Sequence, residues 1–198
     1  MKTFKTTTLG SFNFLLAILV LMSMTAFAPK TDDTYKIITS SQIKVLGTSN
    51  MHDWNMVADN FTCEGNFNLK NGVLEDVTSL QFTLPVVNLK GKESLLNSRA
   101  HKALNAEKFK TITFKLTNAT VNSTQKVINA TGNLTISGVT KVVTLKSNYM
   151  VNADQTITCK GSEALKMSSH GVKAPSFMMG ALKTGDAVTI DFVLKLKN

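Results

Sequence analysis

Three histidines are the residues of this chain best suited to metal or acid–base chemistry. They are His52, His101 and His170, and no two of them have the short spacing of a metal-ligand motif. We therefore expect no metal site and no cofactor, and we expect these side chains to be structural or to line an opening. An enzyme would need His52 and its neighbour Asp53 to meet His101 in one cleft. No glycine-rich phosphate loop, nucleophile elbow or paired-carboxylate pattern supports such a site, so the prediction is a protein without catalytic activity.

Arg99 and His101 lie within residues 95–116, where the pattern changes from helix to strand. An apolar stripe at helical spacing is formed by Leu96, Ala100, Ala103 and Leu104. Arg99 and His101 flank this stripe and are candidate contacts for a polar or phosphate head group, the arginine through bidentate hydrogen bonds. A salt bridge on the helix surface accounts equally well for Arg99.

The two cysteines, Cys63 and Cys159, fall on the apolar sides of their predicted strands. In an exported chain they could form a disulfide, which would close a loop of about 97 residues and stabilise the fold by about 4–5 kcal/mol in the chain-entropy view. Two buried free thiols fit the pattern equally well. Their spacing has no metal-ligand character.

The beginning of the chain has the organisation of a secretory signal peptide. Lys2 and Lys5 precede an apolar run, and Ala26-Phe27-Ala28 offers a cleavage site of the small-x-small type. The predicted organisation is a signal peptide over residues 1–28, a linker over residues 29–33 and one domain over residues 34–198. We therefore expect a periplasmic or secreted protein.

Alternating apolar and polar residues predict that the domain is mostly antiparallel β-sheet. The alternation breaks at Ser40-Ser41 and near Asp59-Asn60, where it suggests a bulge, and Asn71-Gly72 predicts a tight hairpin. Residues 162–186 are predicted to be a long connection. About eight strands result, which favours an all-β, eight-stranded antiparallel, lipocalin-like barrel with one short helix at one end. A sandwich of two sheets is the alternative.

The inward faces of these strands would form an apolar lumen. The candidate ligand-binding residues are Phe61, Phe67, Phe82, Phe114, Leu134 and Phe192 on its wall, Met178 in the long connection, and Arg99 and His101 on the helix. Small residues interrupt the same inward rows at Gly65, Ala130, Gly132 and Gly161. They either leave room for an apolar chain or mark corners of the barrel, and the pattern favours neither.

The formal net charge is +9, but the lysines are scattered over the polar faces of the strands. Aromatic residues are few and face inward, so they offer no stacking platform for single-stranded nucleic acid. We therefore expect no nucleic-acid partner. Peripheral contact with a membrane is compatible with the charge.

Four stretches of the chain resemble the YceI family of exported, lipocalin-like proteins associated with polyisoprenoid binding. They are GTSNMHDW at residues 47–54, RAHKAL at residues 99–104, the F-x-x-x-x-F spacing from Phe109 to Phe114, and GNLTISGVTK at residues 132–141. The second stretch departs from the family's R-x-x-H-L pattern, because His101 stands two residues after Arg99. The segment that follows the helix is also shorter than in the family.

The resemblance implies a barrel whose lumen holds a long isoprenoid chain, such as a quinone tail or a polyprenyl phosphate. The first hypothesis is therefore an exported lipid-binding protein. The second is a secreted structural or interaction module whose barrel is filled by its own side chains, and a cavity in the structure separates the two. A homodimer joined mouth to mouth would let two barrels share one chain, and the sequence leaves this open.

Overall fold

The computed structural model describes residues 33–198, apart from the side chain of Phe177. The predicted signal peptide lies outside these residues, and Asp33, the last residue of the predicted linker, already belongs to a strand. The strands are β1 (Asp33–Ile37), β2 (Gln42–Ser49), β3 (Trp54–Ala58), β4 (Thr62–Lys70), β5 (Val73–Pro85), β6 (Lys90–Gly91), β7 (Thr111–Asn122), β8 (Val127–Ile136), β9 (Val139–Val151), β10 (Ile157–Lys166), β11 (Ser176–Phe177) and β12 (Leu182–Lys197). The helix α1 covers Ser94–Ala103, and 3₁₀ turns cover Val86–Asn88, Met167–His170 and Met178–Gly180.

Antiparallel pairing closes eight of the strands into a ring. The order is β1-β4-β5-β7-β8-β9-β10-β12, and β12 pairs back to β1 at Ile37↔Leu196. Strands β2, β3 and β6 continue the wall at one end, because β12 also pairs with β2, β2 with β3, and β3 with β6. The predicted eight-stranded barrel is confirmed. Within the described residues, no helix has the length and apolar character needed to cross a bilayer.

The interruptions predicted in the first strands are present. Between β1 and β2, Ser41 bridges the gap: its Oγ accepts a hydrogen bond from Lys195 N (2.8 Å) and donates one to Lys195 O (3.2 Å). The bulge predicted near Asp59-Asn60 is wrong: β3 ends at Ala58 and β4 begins at Thr62, and these two strands pair with different neighbours. Asn71 and Gly72 have φ of 52° and 75°, as the hairpin turn requires.

The end of the barrel far from α1 is closed by side chains. Tyr35, Leu74, Ile157 and Leu196 are almost completely buried there. The rings of Tyr35 and Phe67 meet edge to face with their centroids 5.5 Å apart. In the part of the chain that the structure describes, this packing gives the barrel a floor at the end far from the helix.

The prediction that residues 162–186 form a long connection is wrong at both ends. β10 extends to Lys166, with Leu165 opposite Val188, and β12 already begins at Leu182. Glu163 occupies an inward position of β10, and a charged residue there hides the alternation that would have revealed the longer strand. The connection that remains is residues 167–181.

The seam between β9 and β10 is only partly hydrogen-bonded. Among the described residues, the two strands pair from Ile157↔Val151 to Gly161↔Ser147. Beyond Gly161, β10 pairs only with β12, and the first part of β9 pairs only with β8. The turn Met167–His170 spans the open part, because His170 Nδ1 lies 3.1 Å from Val139 O. The upper half of this seam is therefore held by a side chain rather than by a ladder.

Candidate functional site

Two adjoining cavities occupy the interior of the barrel. The outer one, which we name the mouth cavity, has a volume of about 450 Å³ and lies between α1, the turn over residues 47–53 and the start of β12. The inner one, the lumen cavity, has a volume of about 150 Å³. The side chains that line both cavities are Val45, Leu89, Ile112, Ile136, Leu165 and Ile190. An apolar path therefore leads from the mouth toward the floor of the barrel.

Most of the predicted wall residues line the lumen cavity. They are Phe67, Phe82, Phe114, Leu134 and Phe192. The surrounding side chains are also mainly aliphatic, and the polar exceptions are Ser147 and Glu163. Such a surface offers burial to a hydrocarbon and few hydrogen bonds to anything else.

Two of the inward glycines lie under aromatic rings. A Cβ at Gly132 would come within 2.5 Å of Phe114 Cζ, and a Cβ at Gly161 within 2.3 Å of Phe192 Cζ. Each ring thus occupies the space that a side chain on the neighbouring strand would need. These two glycines therefore neither leave room for a ligand nor only mark corners of the barrel. They make room for the rings of two phenylalanines beside the wall.

Helix α1 is fixed over the mouth by its apolar stripe and by polar tethers. Leu96, Ala100 and Leu104 pack against the core. The side chain of Asn97 accepts a hydrogen bond from Gly91 N (2.6 Å), and Ser137 Oγ donates one to Leu104 O (2.7 Å). These contacts hold the helix against the mouth cavity, which Arg99 also lines.

The turn over residues 47–54 forms the opposite side of the mouth. The indole of Trp54 donates from Nε1 to Thr48 O (3.0 Å) and lies on Gly47, where a Cβ would be only 2.1 Å from the ring. Ser49 Oγ accepts from the backbone N–H of Met51 and of His52. Glycine, serine and tryptophan in this stretch therefore form a compact turn that places His52 and Trp54 at the mouth.

Charged side chains surround the mouth cavity, with cations in excess. The cationic ones are Lys92, Arg99, Lys166 and Lys183, and the acidic ones are Asp53 and Glu93. His52 and His170 also line this cavity, and His170 is almost completely buried. An apolar interior beneath a rim of mixed charge, mostly positive, suits an amphipathic molecule with its polar end outward.

Three of the predicted site residues lie outside both cavities. Phe61 packs against Phe82 with ring centroids 5.3 Å apart. His101 Nε2 is 2.9 Å from Leu89 O, so this histidine ties the helix to the wall. Met178 is 73% exposed on the turn before β12. Four residues that line the mouth cavity were not predicted as site residues: Trp54, Lys92, Lys166 and Lys183. Only Trp54 belonged to a recognisable stretch of the sequence, HDW.

His52 and Asp53 line the mouth cavity, whereas His101, the third residue of the predicted cleft, does not. His52 Nδ1 lies 2.9 Å from the backbone oxygen of Asp53, whereas His101 is bonded to the backbone of Leu89. No group of metal-ligating side chains occurs among residues 33–198. The geometry of the site is that of a container, with a wall, a floor and an opening.

The two cysteines are free thiols and both line the lumen cavity. Burial, and to a smaller extent the charge of Glu64, raises the pKa of Cys63 to about 12. Burial also raises the pKa of Cys159 to about 12, with a smaller contribution from Cys63. At neutral pH both remain protonated, so they act as small apolar wall residues.

A closed antiparallel barrel with an apolar lumen open at one end defines a class of small-molecule-binding barrels to which the lipocalins belong. The chain matches the YceI-like domain over residues 38–196 and belongs to that family. Comparison with curated protein sequences finds no match.

Solved structures share the fold at low sequence identity. BcnA from Burkholderia cenocepacia superposes with a TM-score of 0.68 at 20% identity, covering 80% of this chain and 98% of its own. A polyisoprenoid binding domain from Saccharophagus degradans, implicated in plant cell wall breakdown, has a TM-score of 0.63 at 13% identity and covers 84% and 99%. The YCEI protein of Campylobacter jejuni has a TM-score of 0.56 at 15% identity and covers 70% and 84%. At these identities the likeness concerns the fold.

Proposed function

We propose that this protein is an exported lipid-binding protein that holds an isoprenoid chain, carried by a quinone or a polyprenyl phosphate, in the barrel. The observation that carries the proposal is the apolar path from the mouth cavity into the lumen cavity, lined on both sides by aliphatic and aromatic side chains. Membership of the YceI-like family and the fold shared with a polyisoprenoid binding domain support the same ligand class.

The binding energy would come from removing the chain from water. Each buried CH₂ group is worth about 0.8 kcal/mol, so a chain of a few isoprene units gains enough to offset its loss of freedom. The mouth cavity falls within the usual range of ligand pockets, about 300–1,000 Å³. The head group would stay at the mouth, where Arg99 and the lysines can meet an anionic or polar end.

The alternative of an interaction module depends on a barrel filled by its own side chains. The cavities of about 450 Å³ and 150 Å³ leave that alternative without the packing it requires. Catalysis finds no support in the arrangement of His52 and His101 described above, and we propose binding alone.

The deciding experiment is organic extraction of the natively produced protein followed by lipid mass spectrometry. A stoichiometric isoprenoid is the expected result, and its head group would separate quinone from polyprenyl phosphate. A lipid-free protein that also fails to take up either ligand would refute the proposal. Uptake can be followed through Trp54, because it is the only tryptophan of the chain and lines the mouth cavity.

A further inference from the structure

The mouth of the barrel carries exposed apolar side chains on three separate elements. Met51 on the turn before β3 is 67% exposed, Leu95 at the start of α1 is 56% exposed, and Met178 and Met179 on the turn before β12 are 73% and fully exposed. We name these four residues the rim tips. Four of the nine large apolar side chains that are exposed in the described residues lie at this one opening, and such a grouping indicates an interaction surface.

Hydrogen bonds fix two of these elements to each other. Asn50 Nδ2 donates to Ala181 O (2.6 Å), Asn50 Oδ1 accepts from Lys183 N (2.9 Å), and Asn50 N donates to Lys183 O (3.1 Å). β11 and β12 also pair across the methionine turn at Phe177↔Leu182. The methionines thus stand at the tip of a hairpin that is attached to the turn carrying Met51, beside the mouth cavity, which Leu182 and Lys183 line.

Cationic side chains surround the rim tips. Lys183 lies close beneath the methionine turn, since a Cβ at Gly180 would be 3.6 Å from Lys183 Cε. Lys92 is an exposed neighbour of Leu95. Together with Arg99 and Lys166 these residues outnumber the mouth's acids, Asp53 and Glu93. The surface therefore combines separate apolar points with positive charge.

We propose that the rim tips and the surrounding lysines dock the mouth of the barrel onto a bilayer that contains anionic lipid. Apolar side chains with flanking lysines are what a peripheral protein inserts at the boundary between head groups and acyl chains. A second copy of the chain fits this surface poorly, because two mouths placed face to face would oppose their positive charges. Docking does not require the isoprenoid cargo, but it would let such a chain enter the lumen without crossing water.

The test is sedimentation of the purified protein with vesicles of phosphatidylcholine, with and without phosphatidylglycerol. We expect binding only to the anionic vesicles, and a loss of binding at high salt, because each lysine near an anionic surface raises the partition coefficient about fivefold. The double variant Met178→Asp/Met179→Asp should lower that coefficient by at least about tenfold, since insertion would bury both side chains. Aspartate is a suitable replacement, because both methionines have positive φ, 52° and 53°, which aspartate tolerates better than most residues.

The matched control is Met150→Asp. Met150 is similarly exposed at 57% but lies on the outer face of β9 near the closed end. This variant should sediment like the wild type. Wild-type protein that stays in solution with anionic vesicles, or equal losses for the control and the double variant, would overturn the proposal. The proposal would also be overturned if light scattering without lipid showed that the wild type is a dimer and the double variant a monomer. Isoprenoid uptake is measured on the same proteins. A protein that takes up the isoprenoid but does not bind vesicles refutes docking alone, and one that binds vesicles but takes up no isoprenoid refutes the proposed function alone.

Discussion

Ala130→Phe is the substitution that tests most directly whether the lumen holds a chain. Ala130 lies in the middle of β8, opposite Leu145 of β9, and lines the lumen cavity. A phenylalanine there would project into a cavity of only about 150 Å³. The ring takes the place of ligand rather than of protein, so we expect the fold to remain and the depth available to a chain to fall.

The size of the effect follows from the groups that the new ring displaces. If it excludes about three chain CH₂ groups, at about 0.8 kcal/mol each, binding weakens by about 2–3 kcal/mol, or about 30- to 150-fold in Kd. The control is Ala164→Phe on β10, where the alanine is exposed on the outer face of the barrel. This variant adds the same ring outside the lumen and should bind like the wild type.

The assay is titration with a long-chain prenyl phosphate and a prenyl quinone, followed by the fluorescence of Trp54. Urea unfolding of both variants checks that the free energy of unfolding stays comparable. Equal Kd values for Ala130→Phe and Ala164→Phe, in proteins of equal stability, would show that the chain does not occupy the lumen. The proposed path would also be contradicted if Ala130→Phe weakened the binding of short ligands, which fill only the mouth cavity, and left the binding of long ligands unchanged.

Three further predictions concern the head group, the thiols and the turn that covers the seam. Arg99→Ala should raise the Kd of a prenyl phosphate about tenfold or more and that of a neutral quinone much less, because only the phosphate forms charge-assisted hydrogen bonds. Equal increases in the two Kd values would exclude a head-group role. Cys63 and Cys159 should resist a thiol reagent at neutral pH, since burial raises the pKa of each to about 12, and both should react after denaturation. Asp186 accepts hydrogen bonds from the side chain and backbone of Ser168, which lower the pKa of its carboxyl below 3.8. It therefore contributes stability above pH 3.8 that is lost as pH falls through the lowered pKa. Asp186→Asn should reduce Tm at neutral pH, and the difference should disappear in strong acid; a constant difference at every pH would contradict this.

The strands and their inward residues could be predicted because one side of a barrel wall is dry. Period-two alternation identified the inward positions of β8 and β12, and it placed Phe67, Phe114 and Phe192 on the lumen wall. The break near Asn60 was visible because the parity of the apolar positions changes there, and the break at Ser40-Ser41 because two serines interrupt a row of one parity. The strand alternation and its breaks depend on neighbouring residues, so they can be recognised in the sequence.

The mouth was harder to predict because it combines distant segments with no common period. Lys92 and Lys183 are nearly a hundred positions apart, and only the closure of the barrel brings them to one cavity. His101 looked like a head-group contact because it flanks the helix stripe, but the carbonyl of Leu89 is within its reach. Phe61 shares the inward parity of β4 yet precedes that strand, and it packs on Phe82 instead.

The partly paired seam between β9 and β10 affects how the circumference of the barrel can change. A wall with complete ladders has a fixed circumference, since widening it breaks backbone hydrogen bonds. Among residues 33–198, the half of the seam nearest the mouth has no ladder between the two strands, and His170 spans it with its Nδ1 3.1 Å from Val139 O. Expansion at this seam would cost side-chain contacts and one hydrogen bond. We therefore expect the barrel to widen more easily at the mouth than at the floor, so a bound chain could vary in thickness near the entrance.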